Sequence, residues 1–236
     1  MMMKNLISKT IKVSTLLMLT TGILSSCKKD KETLEEPSDF YYKLERVENF
    51  TPATAGVKTF YFSFNTKKEV SDTQVQTTEW DMAFGGTLTC FISANNSADE
   101  GNYGLGSKAI GGIAIVEKPF DQVTDVPASA EFKTGKNVFG LDKEGGRSTD
   151  TGWLLYDETG LIKGDGSALK KHVAYAMPEK RTLVIRTAKG DYAKIKMISL
   201  YKDAFTADKM FLNTPMPFFT FEYVVVPKGS TKFQIK

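Results

Sequence analysis

Two residues in the segment KKHVAYAMPEKRTLVIRT, residues 170–187, have side chains able to bind a transition metal: His172, the one histidine of the chain, and Met177, five positions later. Imidazole and thioether are both metal ligands. In an unbroken strand a separation of five sends the two side chains to opposite faces, so only a turn or bulge at 174–176 would bring both to one ion. The plainer readings are a solvated histidine beside Lys170 and Lys171 and a core-filling methionine before Pro178.

Other chemistry is poorly supplied. A Ser-His-Asp or Cys-His enzyme must be built around His172, and KKHVAY offers neither a nucleophile elbow nor a comparable context. Asp and Glu are plentiful, but a carboxylate pair for glycoside hydrolysis is defined by separation in space, which leaves that chemistry weakly open. The stretch GLGSKAIGG, residues 104–112, lacks the Gly-Lys-Ser/Thr ending and the following helix of a phosphate loop. Its glycines read as turns or a bulge.

The elements that must position these residues follow a period of two. Phe60, Phe62 and Phe64 share one strand face, and Phe219, Phe221, Tyr223 and Val225 repeat the pattern. Residues 182–187 and 192–201 flank Ala188-Lys189-Gly190-Asp191, a hairpin connection. In the second arm Ala193, Ile195 and Met197 face one way, and Lys194 and Lys196 the other. Met82 and Met197 read as core, whereas Met210 and Met216 fall in the loop-like DKMFLNTPMPFF and could line a pocket. The best helical candidate, residues 119–126, is about two turns long. No linker divides the body, which reads as a single all-β domain, residues 40–236.

Ahead of that body the chain reads as an export signal, residues 1–26. Lys4, Lys9 and Lys12 precede VSTLLMLTTGI, an apolar run too short to span a bilayer. Leu24-Ser25-Ser26-Cys27 resembles a bacterial lipobox, which makes Cys27 the acylated N-terminus of a protein anchored by lipid. Residues 27–39, with KKDKETLEEPSD after the cysteine, read as a solvated tether. That charged segment also resembles the signal sending Bacteroidetes-type lipoproteins to the outer face of the outer membrane.

Three of the 31 basic residues lie in the signal and none of the 28 acidic ones, so the mature chain is neutral. A neutral chain without a clustered basic face argues against nucleic acid as a partner. With Cys27 acylated, Cys90 is the one remaining thiol, which excludes an intramolecular disulfide. It also excludes a four-ligand structural zinc site.

Several segments together resemble the HmuY family of bacterial haem-binding lipoproteins. They are Glu79-Trp80-Asp81-Met82-Ala83-Phe84, Gly152-Trp153 with Tyr156, the hairpin RTLVIRTAKGDYAKIKM at 181–197, and Thr220-Phe221-Glu222-Tyr223-Val224. The resemblance implies an all-β, antiparallel, hand-like fold in which two extended loops pinch a haem between two axial ligands, histidines or methionines. One ligand lies in the loop leading to the Gly-Trp element and the other just before the R-T-x-V-x-R-T strand. Met177 matches the second position, but residues 138–150, VFGLDKEGGRSTD, hold neither His nor Met.

Three accounts of the ligand set stay open: His172 completes it, Met177 binds alone, or another ligand has replaced haem. Ligation by Met177 implies a preference for reduced haem, since a thioether favours the ferrous state. The implied function is a surface lipoprotein without catalysis of its own. It takes haem from host haemoproteins and passes it to a TonB-dependent outer-membrane haem transporter. The alternative is a lipoprotein of the same fold that binds an apolar molecule, a glycan or a protein.

Overall fold

A computed structural model describes residues 39–54 and 56–236. The signal and lipobox, Cys27 included, lie outside the described residues. Eleven strands build this part of the chain: β1 (Glu45–Phe50), β2 (Phe60–Ser63), β3 (Lys68–Val70), β4 (Met82–Gly85), β5 (Phe91–Ala94), β6 (Gly112–Val116), β7 (Leu154–Asp157), β8 (Val173–Ala176), β9 (Thr182–Arg186), β10 (Tyr192–Ser199) and β11 (Phe219–Val226). All helical segments among the described residues are three-residue 3-10 turns.

The strands form three antiparallel sheets. The largest has the order β1-β11-β10-β9-β6, the second β3-β2-β4-β5, and the third is the β7-β8 hairpin. All described residues belong to one compact unit, Pro37–Lys236.

The period-two pattern fixes how the first two sheets meet. Phe60, Phe62 and Phe64 are at most 1 % exposed, and they pack with Phe84, Phe219, Phe221 and Tyr223 in one core. Phe60 and Phe84 stack at 5.2 Å between ring centroids, and Phe62 meets Phe221 edge-on at the same separation. Each such ring contributes about 1.5–3 kcal/mol by leaving water, and the offset and edge geometries add to that.

Polar struts set the register between the sheets. Asp81 accepts hydrogen bonds from the Phe64 N–H at 3.0 Å and the Ala188 N–H at 3.1 Å. Tyr223 donates to the Phe64 carbonyl at 3.0 Å. The acid of the Trp-Asp motif is therefore a structural tie.

Two sequence expectations change. The helix expected over 119–126 is a single 3-10 turn, Phe120–Gln122, ending in extended Val123. Lys194 alternates away from the main core as expected, yet it is buried, and its ammonium donates to the Phe120 carbonyl at 3.0 Å and the Val123 carbonyl at 2.9 Å. The Phe120 carbonyl accepts the Val123 N–H of the turn as well, at 3.2 Å. Phe120 and Phe233 flank the ammonium, so the outer face of the large sheet carries a second, smaller core with Val184, Val224 and Val226.

Candidate functional site

The site is built on the β7-β8 hairpin and two loops beside it. Four register pairs align the strands: Leu154 with Ala176, Leu155 with Tyr175, Tyr156 with Ala174, and Asp157 with Val173. Pairing is continuous, so β8 carries no bulge at 174–176. Directly opposed residues share a face, which puts Tyr156 and Ala174 on one side and Tyr175 with Asp157 on the other.

The 158–172 connector is held from within. Asp157, fully buried, accepts backbone hydrogen bonds from Gly160 at 2.7 Å, Leu161 at 3.2 Å, Ile162 and Lys163 at 2.9 Å, and Gly164 at 3.4 Å. Burial opposes ionisation of Asp157, but these donors outweigh it and hold its carboxyl below the usual range. At the far end Lys170 is 6 % exposed and donates to the carbonyls of Ala207, Asp208 and Met210 at 2.7, 3.1 and 2.7 Å. Lys170, which stands out in the sequence only as a neighbour of the histidine, is the clamp of this loop.

The second loop, residues 138–150, lies directly on β7. A Cβ on Gly145 would come within 2.7 Å of the Tyr156 backbone N and O, so only glycine fits there. Asp142 caps that loop's 3-10 turn through the Glu144 N–H at 2.8 Å and takes the Gly152 N–H at 3.0 Å and Arg181 Nε at 2.9 Å. Gly152 in turn sits so close to the Gly140 and Leu141 carbonyls that a Cβ would clash at 2.3 and 2.4 Å, which explains the Gly of the Gly-Trp element. An Arg147–Glu158 ion pair ties the two loops together.

Where the loops meet stands His172. It is exposed, and its φ of +60° is a left-handed conformation uncommon outside glycine, though histidine is among the residues that tolerate it. Its backbone N–H reaches the Glu158 carbonyl at 3.3 Å, closing the loop base. The ring Nδ1 lies 3.0 Å from the hydroxyl of half-buried Tyr156. That contact settles the ring's orientation, and among the described residues no hydrogen bond engages Nε2. In the tautomer that carries its proton on Nδ1 and donates it to Tyr156, Nε2 has the free lone pair with which histidine binds a metal.

Met177 stands elsewhere. It is 1 % exposed within the main core, and its N–H bonds to the Trp153 carbonyl at 3.1 Å. The four residues of β8, Val173–Ala176, separate it from His172, which stands before the strand in a left-handed turn. The structure does not bring the two together. Cys90 is likewise buried, its thiol pushed up to about 12 by burial. Met82 and Met197 lie in the core as expected, while Met210 and Met216 each line a surface cavity.

His172 offers the chemistry of an iron ligand at an exposed position. The imidazole is exposed and contacts Tyr156, and the same connector carries the exposed apolar side chains Leu161, Ile162 and Leu169, at 73, 50 and 50 % exposure. At Met177 an iron-bearing group does not fit, because the thioether would have to leave the core.

Fold and site together define an all-β, antiparallel protein whose candidate ligand side chain is displayed on a hairpin between two tethered loops. The family model described as HmuY protein matches residues 57–211, and the chain belongs to the HmuY family. A solved structure titled Tannerella forsythia Apo HmuY analog (TFO) is similar at 15 % identity and a TM-score of 0.41, covering 79 % of this chain and 96 % of its own. No curated protein matches. Among the described residues no helix is long and apolar enough to cross a membrane.

Proposed function

We propose that this chain is a lipid-anchored surface protein that binds haem, with His172 as the residue that meets the iron. Membership of a family associated with haem binding supports the ligand class. The single observation that supports the residue is the exposed imidazole whose Nδ1 is 3.0 Å from the Tyr156 hydroxyl. Haem supplies an iron with axial positions to fill, and the chain's part is to present one oriented nitrogen.

Tyr156 holds the ring against rotation, the Arg147–Glu158 pair keeps the two loops together, and Lys170 anchors the chain just before the histidine. Apolar side chains of the loop cover a porphyrin face in water, where about 25 cal/mol is gained per Å² of apolar surface removed. A single residue ligand on the surface leaves the haem exchangeable, which suits transfer to a TonB-dependent outer-membrane transporter. Histidine ligation also removes the reason to expect a strong preference for the reduced state.

A haem titration of the full chain, read by Soret absorbance, tests this. Saturable binding that His172→Ala abolishes and Met177→Leu leaves intact is the expected result. Loss through Met177→Leu with His172→Ala unaffected would return the ligand to the methionine.

A further inference from the structure

A haem iron has two axial positions to fill, and each chain has one histidine to offer. The thiol and the thioethers among the described residues are poorly placed to take the second position. Cys90, Met82, Met177, Met197 and Met210 are at most 3 % exposed. Met216 lines a cavity with Thr59 and Gly86, which belong to neither the β7-β8 hairpin nor its loops. The hydroxyl of Tyr156 is engaged with the His172 ring.

The connector that ends at the histidine is also left with apolar side chains in water. Leu161, Ile162 and Leu169 are exposed on it, and Leu212, exposed too, is held beside Leu169 by a backbone hydrogen bond of 2.8 Å. Leu161 and Ile162 stand on backbone that the Asp157 carboxylate grips through their own N–H groups, so their display is a fixed feature of the loop. Large apolar side chains grouped in water mark a surface that meets something else. A porphyrin has two apolar faces, and a single chain covers one of them. The other stays in water, which is unfavourable in proportion to its area.

We infer that two copies of this chain share one haem, each supplying His172 to one axial position of the iron. The inference rests on the haem reading above and names what completes that site: a second copy of the same surface. A two-fold axis through the iron, lying in the plane of the ring, exchanges the two copies, so identical residues meet opposite faces, as an isologous interface requires. The apolar side chains of both connectors then flank the ring from its two sides. Each copy still contributes a single residue ligand, so the haem stays exchangeable, and its departure separates the pair.

Sedimentation velocity of the full chain across a haem titration, followed in the protein and Soret bands, tests this. The mass should double at half an equivalent of haem, with the low-spin spectrum of an iron held by two imidazoles. It should fall back to that of one chain in excess haem, because each copy then binds an iron of its own. His172→Asn keeps a residue that tolerates the left-handed backbone and removes the imidazole, so it should fold as the parent does and sediment as one chain at every haem ratio. The inference is overturned by a Soret complex that sediments as one chain throughout the titration, by a high-spin, five-coordinate spectrum at half an equivalent, or by a doubled mass without haem. No Soret shift at any ratio would instead sink the haem reading itself, and the sharing with it, so the two failures are told apart.

Discussion

At the scale of single residues, the partner of a side chain decides what it can do more than its type does. His172 and Met177 are both metal ligands by type, yet one has an oriented ring at the surface and the other is a wall of the core. Tyr156→Phe removes the partner of Nδ1 and leaves the ligand in place. Loss of such an orienting group typically costs 10- to 100-fold in affinity, so the variant should bind haem about tenfold more weakly while His172→Ala abolishes the ligated spectrum. A titration of the two side by side checks the order. Met177→Ala should instead lower stability by about 2–5 kcal/mol, as emptying a core position does. Its haem affinity, measured well below its thermal midpoint, should match the parent's. Urea unfolding and the Soret titration on the same preparation separate the two roles.

At the scale of elements, the strands were legible and the loops were not. Alternating aromatics at 60–64 and 219–225 predict β2 and β11 with their buried faces, and the Ala188-Lys189-Gly190-Asp191 connection predicts the β9-β10 hairpin, because a period of two reports directly which face is buried. Lys170, Lys194 and Asp157 were illegible, because their partners are backbone groups distant in sequence or donors from a loop with no periodicity. One local signal for Asp157 existed: an acid followed by Thr159, Gly160 and later glycines is the composition of a side-chain-capped turn. Asp157→Ala should therefore loosen the 158–169 loop specifically. Hydrogen exchange should accelerate at the amides of Gly160, Ile162 and Lys163 while those of β9 and β10 stay protected. Uniform acceleration across both regions would mean that Asp157 supports the whole fold instead of the loop.

At the scale of the whole molecule, carboxylates pull stability in opposite directions with pH. Desolvation raises Asp81 from 3.8 to about 6, against the hydrogen bonds from Phe64 and Ala188 that favour its ionised form. The folded state therefore holds this proton more tightly than the unfolded chain does. Its contribution is present below the unfolded value and is lost as pH rises through about 6, a loss on the order of 3 kcal/mol. Asp142, Asp157, Glu179 and Glu222 behave oppositely: burial works against each, but hydrogen bonds and neighbouring cations outweigh it and lower their folded values. Their contribution is present above the unfolded values and is lost as pH falls through the folded ones. The two sets overlap in a window of about pH 4 to 5, where stability should be greatest, with acid and neutral sides both weaker. Urea unfolding across pH 3 to about 8 would trace this arch. Asp81→Asn should lower the whole curve, because its amide N–H₂ meets one of the two backbone N–H donors, and it should flatten the neutral arm while leaving the acid arm as steep as before. An unchanged neutral arm in that variant would mean that Asp81 is not the group whose ionisation weakens the strut between the two sheets.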